Sequence, residues 1–413
     1  YRINGQKIYI SGGDHDLSDN IVHLVLARLP DAPPGNRGIS LFLVPKYLVR
    51  KNGELGDKND LRPISLETKL GIHGNPTCVM SYGENTGAIG YLIGNENQGL
   101  AGMFTMMNLA RLMVGLQGVA ITERAYQQAL AYAKDRLQGS RSNSSNAPSP
   151  APIIHHPDVK RMLLDMKCIA EAGRCLTLYA AYCIDLSKRH VDAATRQIFS
   201  DRLSLLTPVV KAWITDRAIE CASTGIQVHG GLGYIEDTGA AQHLRDARIM
   251  AIYEGTNGIQ ANDLIGRKVL RESGSSMLRL ISDMRDDLAG AEVAEGGALA
   301  VILIATRQSI DDLESAVEWV LSSAPNDPDG ISAGAAAFLK LSGNAICGWL
   351  MAKCAIETQI LMDQGDPPSE KLMGRMHSAR HFAETVLPQT TAALSTLRSG
   401  QPAVAKMSEK MFG

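Results

Sequence analysis

The stretch QVHGGLGYIEDTGAAQHLRDARIMAIYEGTNGIQ, residues 227–260, decides how the rest of the chain is read. It opens with Gln227 and runs into Gly230, Gly231 and Gly233 directly beyond a helical apolar pattern. Backbone without Cβ atoms can approach a ligand closely there, and the same residues also serve as a helix C-cap and turn. Further on, Tyr253-Glu254-Gly255-Thr256-Asn257-Gly258 sets one carboxylate before a glycine and a threonine. Beside a ligand, Glu254 is a base whose pKa desolvation lifts towards the working pH, suited to removing a weakly acidic proton next to a carbonyl. Without a ligand, the cluster is an N-cap for a helix starting near 258.

Outward from this stretch, helical spacing covers 159–188, 203–225 and 240–270, and 100–137 predicts a further long helix broken around Gly115 and Gly118. Four helices make a bundle. Upstream, β-rich runs at 6–11, 21–28, 39–45 and 79–82 are cut by Asn-Gly, Pro-Pro-Gly and Gly-Asn-Pro turns, which predicts an antiparallel β-domain. Downstream, amphipathic helices from 273 onwards are divided by breakers at 322–330 and 364–368. The Ser, Asn and Pro cluster at 139–157 is expected to be a mobile loop. The order predicts a segregated α+β architecture, mostly α, in three parts: 1–97, 98–271 and 272–413.

Composition narrows the function classes. The formal charge is -2, from 41 Lys and Arg against 43 Asp and Glu, so neither nucleic acid nor an anionic lipid surface is an expected partner. The apolar run at 297–305 is far short of the ~20 residues that span a bilayer, so no membrane span is expected. Seven cysteines without a CxxC pair suit buried reduced thiols in a reducing compartment. His155, His156 and His229 lack a metal-ligand spacing, and no metal is assigned. Met103, Met106, Met107 and Met113 fall at helical spacing and are expected in a core or lining a pocket.

The two segments of the opening stretch resemble the acyl-CoA dehydrogenase family of flavoproteins. The family's Gln-x-x-Gly-Gly-x-Gly-Tyr/Phe, Arg-Asp-Ala and Ile-Tyr-Glu-Gly-Thr stand here as residues 227–234, Arg245-Asp246-Ala247 and residues 252–256. Residues 7–11 resemble its flavin-facing β segment, 93–100 its entry into the helical domain, and 111–118 its Arg-x-x-x-x-x-x-Gly helix. The likeness covers roughly 1–268 and extends to the longer bacterial members that add a C-terminal helical domain. It implies a bacterial cytoplasmic enzyme of fatty-acid β-oxidation. That enzyme would convert an acyl-CoA thioester to the trans-2-enoyl-CoA and pass electrons through FAD to an electron-transferring flavoprotein.

The resemblance also implies roles residue by residue. Glu254 matches the base that removes the α-proton while hydride leaves Cβ for the flavin, and its backbone N–H matches a donor to the thioester carbonyl. The alternative site for the base, just before Arg111, is Ala110 here, which takes no proton. Tyr9, Ser11 and Thr256 match flavin contacts. Arg136 matches a contact to the FAD pyrophosphate across a subunit interface, opposite Gln227, Gly230 and Gly231, which implies a homo-oligomer, a homodimer at least. Arg111, Tyr253 and Gly255 match the thioester end of the substrate cavity, although an arginine on a helix also reads as solvated or salt-bridged. Gly258 stands where a glutamine is common, and Tyr9 where Trp is common. The family's front helical domain and its Thr-Glu-Pro and Gly-Ser-Asp type flavin loop do not precede Tyr1, so a fragment with an opened flavin site is expected. Acyl-CoA oxidase chemistry, or a non-catalytic interaction protein on the same scaffold, stays open.

Overall fold

The computed structural model describes residues 1–140, 150–291, 296–364, 369–399 and 402–413. Packing divides the chain into two units, Tyr1–Ala110 and Arg111–Gly413. In the first, runs of β-branched and aromatic residues form β1 Arg2–Ile3, β2 Gly5–Ser11, β3 Val22–Arg28, β4 Ile39–Pro45, β5 Tyr47–Val49, β6 Leu55–Lys58, β7 Leu61–Leu66, β8 Thr77–Tyr82, β9 Ala88–Ile89 and β10 Tyr91–Ile93. All pair antiparallel, in the orders β10-β4-β3 and β2-β8-β7 with two ribbons, β1-β9 and β5-β6. The four predicted strands are present; those missed are mostly too short to show alternation. Val25, Phe42, Val44, Met80 and Tyr82 fill the core of this unit. The β2/β8 register slips between Lys7 and Ile10. At that bulge Tyr9 takes φ +60° and its side chain is 70% exposed, as expected where a bulge re-aims a side chain.

Helices follow: α1 Gly99–Asp135, α2 Pro157–Arg189, α3 Ala193–His229, α4 Ala240–Arg248, α5 Asn257–Asn262 with a π-helical continuation Asp263–Leu270, α6 Ser275–Ala289, α7 Ala298–Ser323, α8 Pro328–Gln364, α9 Glu370–Thr385, α10 Gln389–Arg398 and α11 Pro402–Lys406. The predicted break in α1 is absent. Gly115 and Gly118 instead let α1 and α3 approach: a Cβ on Gly115 would lie 2.5 Å from Val210 Cγ1, and one on Gly118 2.9 Å from Ile214 Cγ2. Packing offsets the ~1 kcal/mol that glycine costs in a helix. The single helix expected over 240–270 is also corrected, because the chain leaves helical geometry before Glu254 and restarts at Asn257. Residues 141–149 of the predicted loop and 365–368 of the predicted breaker lie outside the described residues.

One apolar core runs from Val119 to Leu397, so the helices beyond 272 pack into the same core as α1, α2 and α3. Trp213 of α3 anchors the join. Its Nε1 donates to Asn344 Oδ1 of α8 at 2.8 Å, and a Cβ on Gly343 would fall 2.2 Å from its Cδ1. By length and composition alone α1 and α8 are each apolar enough to cross a membrane, a test that core helices of folded proteins also pass. The most apolar window of α8 is 56% buried in the core and that of α1 28%. Met106, Leu109, Met113 and Leu116 remain exposed on α1. Five of the cysteines are buried as predicted, whereas Cys354 is exposed and Cys175 half-buried.

Candidate active site

Residues 252–256 form a loop between the short helical turn Ile249–Ala251 and α5. Two successive residues, Glu254 at φ +55° and Gly255 at φ +85°, turn left-handed. For glutamate this conformation costs roughly 1–2 kcal/mol and persists only when surroundings fix it. The surroundings are polar and specific. Arg111, 7% exposed, donates through Nε to the Glu254 carbonyl at 3.1 Å. Gln260, fully buried, donates through Nε2 to the carbonyls of Glu254 at 3.3 Å and Gly255 at 3.4 Å. Lys211 donates through Nζ to the Gly255 carbonyl at 2.9 Å and to Asn257 Oδ1 at 2.7 Å. Asn257 passes the network on, donating to the Ala212 carbonyl, to Thr215 Oγ1 and to Asp216 Oδ1.

Arg111 is therefore buried rather than solvated, and it holds the loop. The approach of α1 to α3 at Gly115 and Gly118 explains why it reaches, since it lies one turn before Gly115 on α1. Burial pulls the Lys211 ammonium down to about 8, with Asp216 and Glu254 opposing that pull and Arg111 adding to it. Burial also raises the Asp216 carboxyl and the Tyr253 phenol. Tyr253 donates its hydroxyl to Gln117 Oε1 of α1 and packs on a small cluster with Val114, Ala218 and Met250. Glu254 is half-buried, and among the described residues none donates to its carboxylate. The backbone is clamped while the acid is left available.

Thr256 caps α5, accepting from the Ile259 N–H at 3.4 Å. Lys211, Asn257, Asp216, Gln260 and Gln117 escaped the sequence reading. The available signal was Lys211 itself, a lone charge between Val209-Val210 and Ala212-Trp213-Ile214.

The other predicted residues stand elsewhere. Gln227, Gly230 and Gly231 lie at the C-terminal end of α3, Gln227 about 24 Å and Gly230 about 28 Å along the helix from Lys211 at 1.5 Å per residue. Arg136 belongs to that same end, one turn beyond Tyr132, whose ring stacks on His229 at 4.5 Å. His229 is a core residue there, its Nδ1 2.7 Å from the Gly225 carbonyl oxygen. Tyr9 and Ser11 belong to the first unit, both exposed, at the bulge and the end of β2.

These residues suit an FAD. Gly230 holds φ +61° and ψ -139°, and a Cβ on it or on Gly231 would meet nothing within 4 Å, so the turn is an open cradle. Arg136 is exposed and makes no ion pair among the described residues, which leaves its fork free for a diphosphate.

Residues 97–270 match the family described as acyl-CoA dehydrogenase, C-terminal domain, and 280–408 the family described as acetyl-CoA dehydrogenase C-terminal like. The chain is 47% identical to 3-methylmercaptopropionyl-CoA dehydrogenase of Ruegeria pomeroyi over 399 residues, covering 96% of this chain and 66% of that protein. It is 35% identical to a butyryl-CoA dehydrogenase of Syntrophomonas wolfei, covering all of this chain and 68% of that protein. The chain thus spans about two thirds of the length of these relatives. Among solved structures, Caenorhabditis elegans ACDH-11 in complex with C11-CoA shares the fold at a TM-score of 0.74 and 24% identity, over 94% of this chain and 60% of that one. An acyl-CoA dehydrogenase complexed with FAD from Bacillus anthracis does so at 0.72 and 17%, over 97% and 67%. The clamped glutamate, the open glycine turn and these likenesses lead to one conclusion: the chain belongs to the acyl-CoA dehydrogenase family, whose members are FAD-binding oxidoreductases.

Proposed function

We propose that the protein dehydrogenates an acyl-CoA thioester between Cα and Cβ, giving the trans-2-enoyl-CoA, with Glu254 as the base. The observation that carries this reading is the left-handed Glu254, tied at its carbonyl by Arg111 and Gln260 and untied at its carboxylate. FAD, when bound, supplies the two-electron acceptor for the hydride leaving Cβ. Glu254 takes the α-proton, and its backbone N–H steadies the thioester carbonyl as negative charge develops. Arg111 and Lys211 keep that N–H and carboxylate in register, and Tyr253 and Gly255 border the thioester. Arg136, Gln227, Gly230 and Gly231, at one end of the same subunit, hold the diphosphate and adenine end, and the Glu254 loop that faces the flavin comes from its partner. The ~28 Å along α3 between Lys211 at the loop and Gly230 at the glycine turn supports that division of labour within a homodimer. Tyr9, Ser11 and Thr256 contact the flavin.

We assign the electrons to an electron-transferring flavoprotein, the pathway to fatty-acid β-oxidation and the place to the bacterial cytoplasm. Helices α1 and α8 are read as helices of the protein fold rather than membrane spans. The three parts 1–97, 98–271 and 272–413 are proposed as its domains. Two relatives are named for short thioesters, 3-methylmercaptopropionyl and butyryl, so the substrate class is a short acyl-CoA. The test is anaerobic titration of the flavin-loaded protein with a panel of acyl-CoAs of increasing chain length. Loss of the oxidised flavin absorbance with the short thioesters, with enoyl-CoA formed in step, is expected. An unchanged spectrum with every thioester would overturn the assignment.

A further inference from the structure

Two thiols stand apart from the other five. Cys78, Cys168, Cys183, Cys221 and Cys347 are buried. Burial pushes the thiols of Cys168 and Cys347 well up, that of Cys183 to about 11 and that of Cys221 to about 12. Cys354 of α8 and Cys175 of α2 instead face each other with Sγ atoms 3.7 Å apart, in a cavity of about 450 Å³. Cys354 is exposed and Cys175 half-buried, so a small solute reaches the pair. Closing from 3.7 Å to a disulfide bond of about 2.05 Å asks the two sulfurs to approach by about 1.6 Å.

We propose that Cys175 and Cys354 form a redox-responsive pair, which a hydroperoxide oxidises to an intramolecular disulfide and a thiol reductant reopens. The bond would join residues 179 positions apart, linking α2, within the stretch 97–270, to α8, within 280–408.

The chemistry of the site sets the order of events. Cys354 shares a hydrogen bond with Cys175 and lies near Arg375 of α9 and Lys353 of its own helix, while Glu171 of α2 opposes their pull. That hydrogen bond first, then the two cations, draw Cys354 down to about 7 against its burial, and the same hydrogen bond pushes Cys175 up. Arg174 and Glu357 complete the charged lining. The Cys354 thiolate attacks one peroxide oxygen, the O–O bond breaks, and Cys354 becomes a sulfenic acid as hydroxide leaves. Cys175 sulfur then attacks the Cys354 sulfur, the S–O bond breaks, and the Cys175 proton leaves with the hydroxyl as water. The pair loses two electrons and two protons, and one peroxide is reduced to two waters.

The test treats the full chain with hydrogen peroxide in small excess, then titrates thiols after denaturation and maps peptides. A fall from seven free thiols to five, with one peptide linking Cys175 to Cys354 and recovery to seven in dithiothreitol, supports the proposal. Native alkylation at neutral pH should strike Cys354 at least about tenfold faster than any other cysteine. In Cys175→Ser the Cys354 sulfenic acid should persist and be trapped by dimedone, while Cys354→Ser should lose no thiols. Seven thiols after peroxide, a link between two chains, or Cys354 driven to sulfinic acid with Cys175 still free would each overturn it. Should a variant not fold, the wild-type map alone decides.

Discussion

Replacing Lys211 by Met separates what its charge does from what its hydrogen bonds do. The side chain has no exposed surface, and it donates to the Gly255 carbonyl and to Asn257 Oδ1. A neutral amine still has two N–H donors, which match those two acceptors. Loss of the proton therefore costs no hydrogen bond, whereas Lys211→Met leaves two buried acceptors short, at about 1–3 kcal/mol each. Burial lowers the folded-state pKa from 10.5 to about 8. Below 8 the fold carries a charge that the unfolded chain holds more comfortably. Between 8 and 10.5 the unfolded chain binds the extra proton, so stability rises with pH across that window. The shift corresponds to about 3 kcal/mol at most, at 1.36 kcal/mol per unit.

The assay is the melting temperature of wild type and Lys211→Met at a series of pH values from 7 to 10.5. The difference between them should grow in favour of wild type as pH rises, because Met lacks the gain. Turnover of the mutant should fall about 10²-fold at every pH, the cost of a loop displaced by about 1 Å. A pH-independent melting difference would refute the buried-charge argument, and wild-type turnover would refute the positioning role.

Two further outcomes follow from close approaches. Gly343→Ala sets a Cβ 2.2 Å from Trp213 Cδ1, and a buried indole between helices has little room to yield. Calorimetry should register about 1–3 kcal/mol of lost stability. Gly230→Ala meets no neighbour but forces alanine into φ +61° and ψ -139°. FAD occupancy, read as the ratio of flavin to protein absorbance, should drop while the melting of the cofactor-free protein shifts by only about 1–3 kcal/mol equivalent.

Long, strongly periodic segments were legible in the sequence, and so was the order of β and α parts. Strand β4 is expected over 39–45 and stands at Ile39–Pro45, because its apolar run is nearly continuous and the Pro-Pro-Gly turn marks where it starts. The glycines of α1 misled, since their helix cost is local and readable while the packing on Val210 and Ile214 that offsets it is distant in sequence. The break before Glu254 was hidden for a related reason. Ile252, Tyr253 and Ile259 keep an apolar rhythm through the loop, and the left-handed residues are held by Arg111, Lys211 and Gln260 from outside it. Glu254 was found through a motif, whereas the groups that hold it were not, because a hydrogen bond from residue 111 to residue 254 leaves no mark in spacing.

The most direct measurement is the turnover of Glu254→Gln in the flavin-loaded protein, followed with an electron-acceptor dye and a short acyl-CoA. The amide keeps the shape of the side chain, so the flavin spectrum and occupancy should match wild type. Turnover should fall by at least about 10²-fold to 10⁴-fold, the usual worth of a general base. Wild-type turnover in a variant with a normal flavin content would contradict the account.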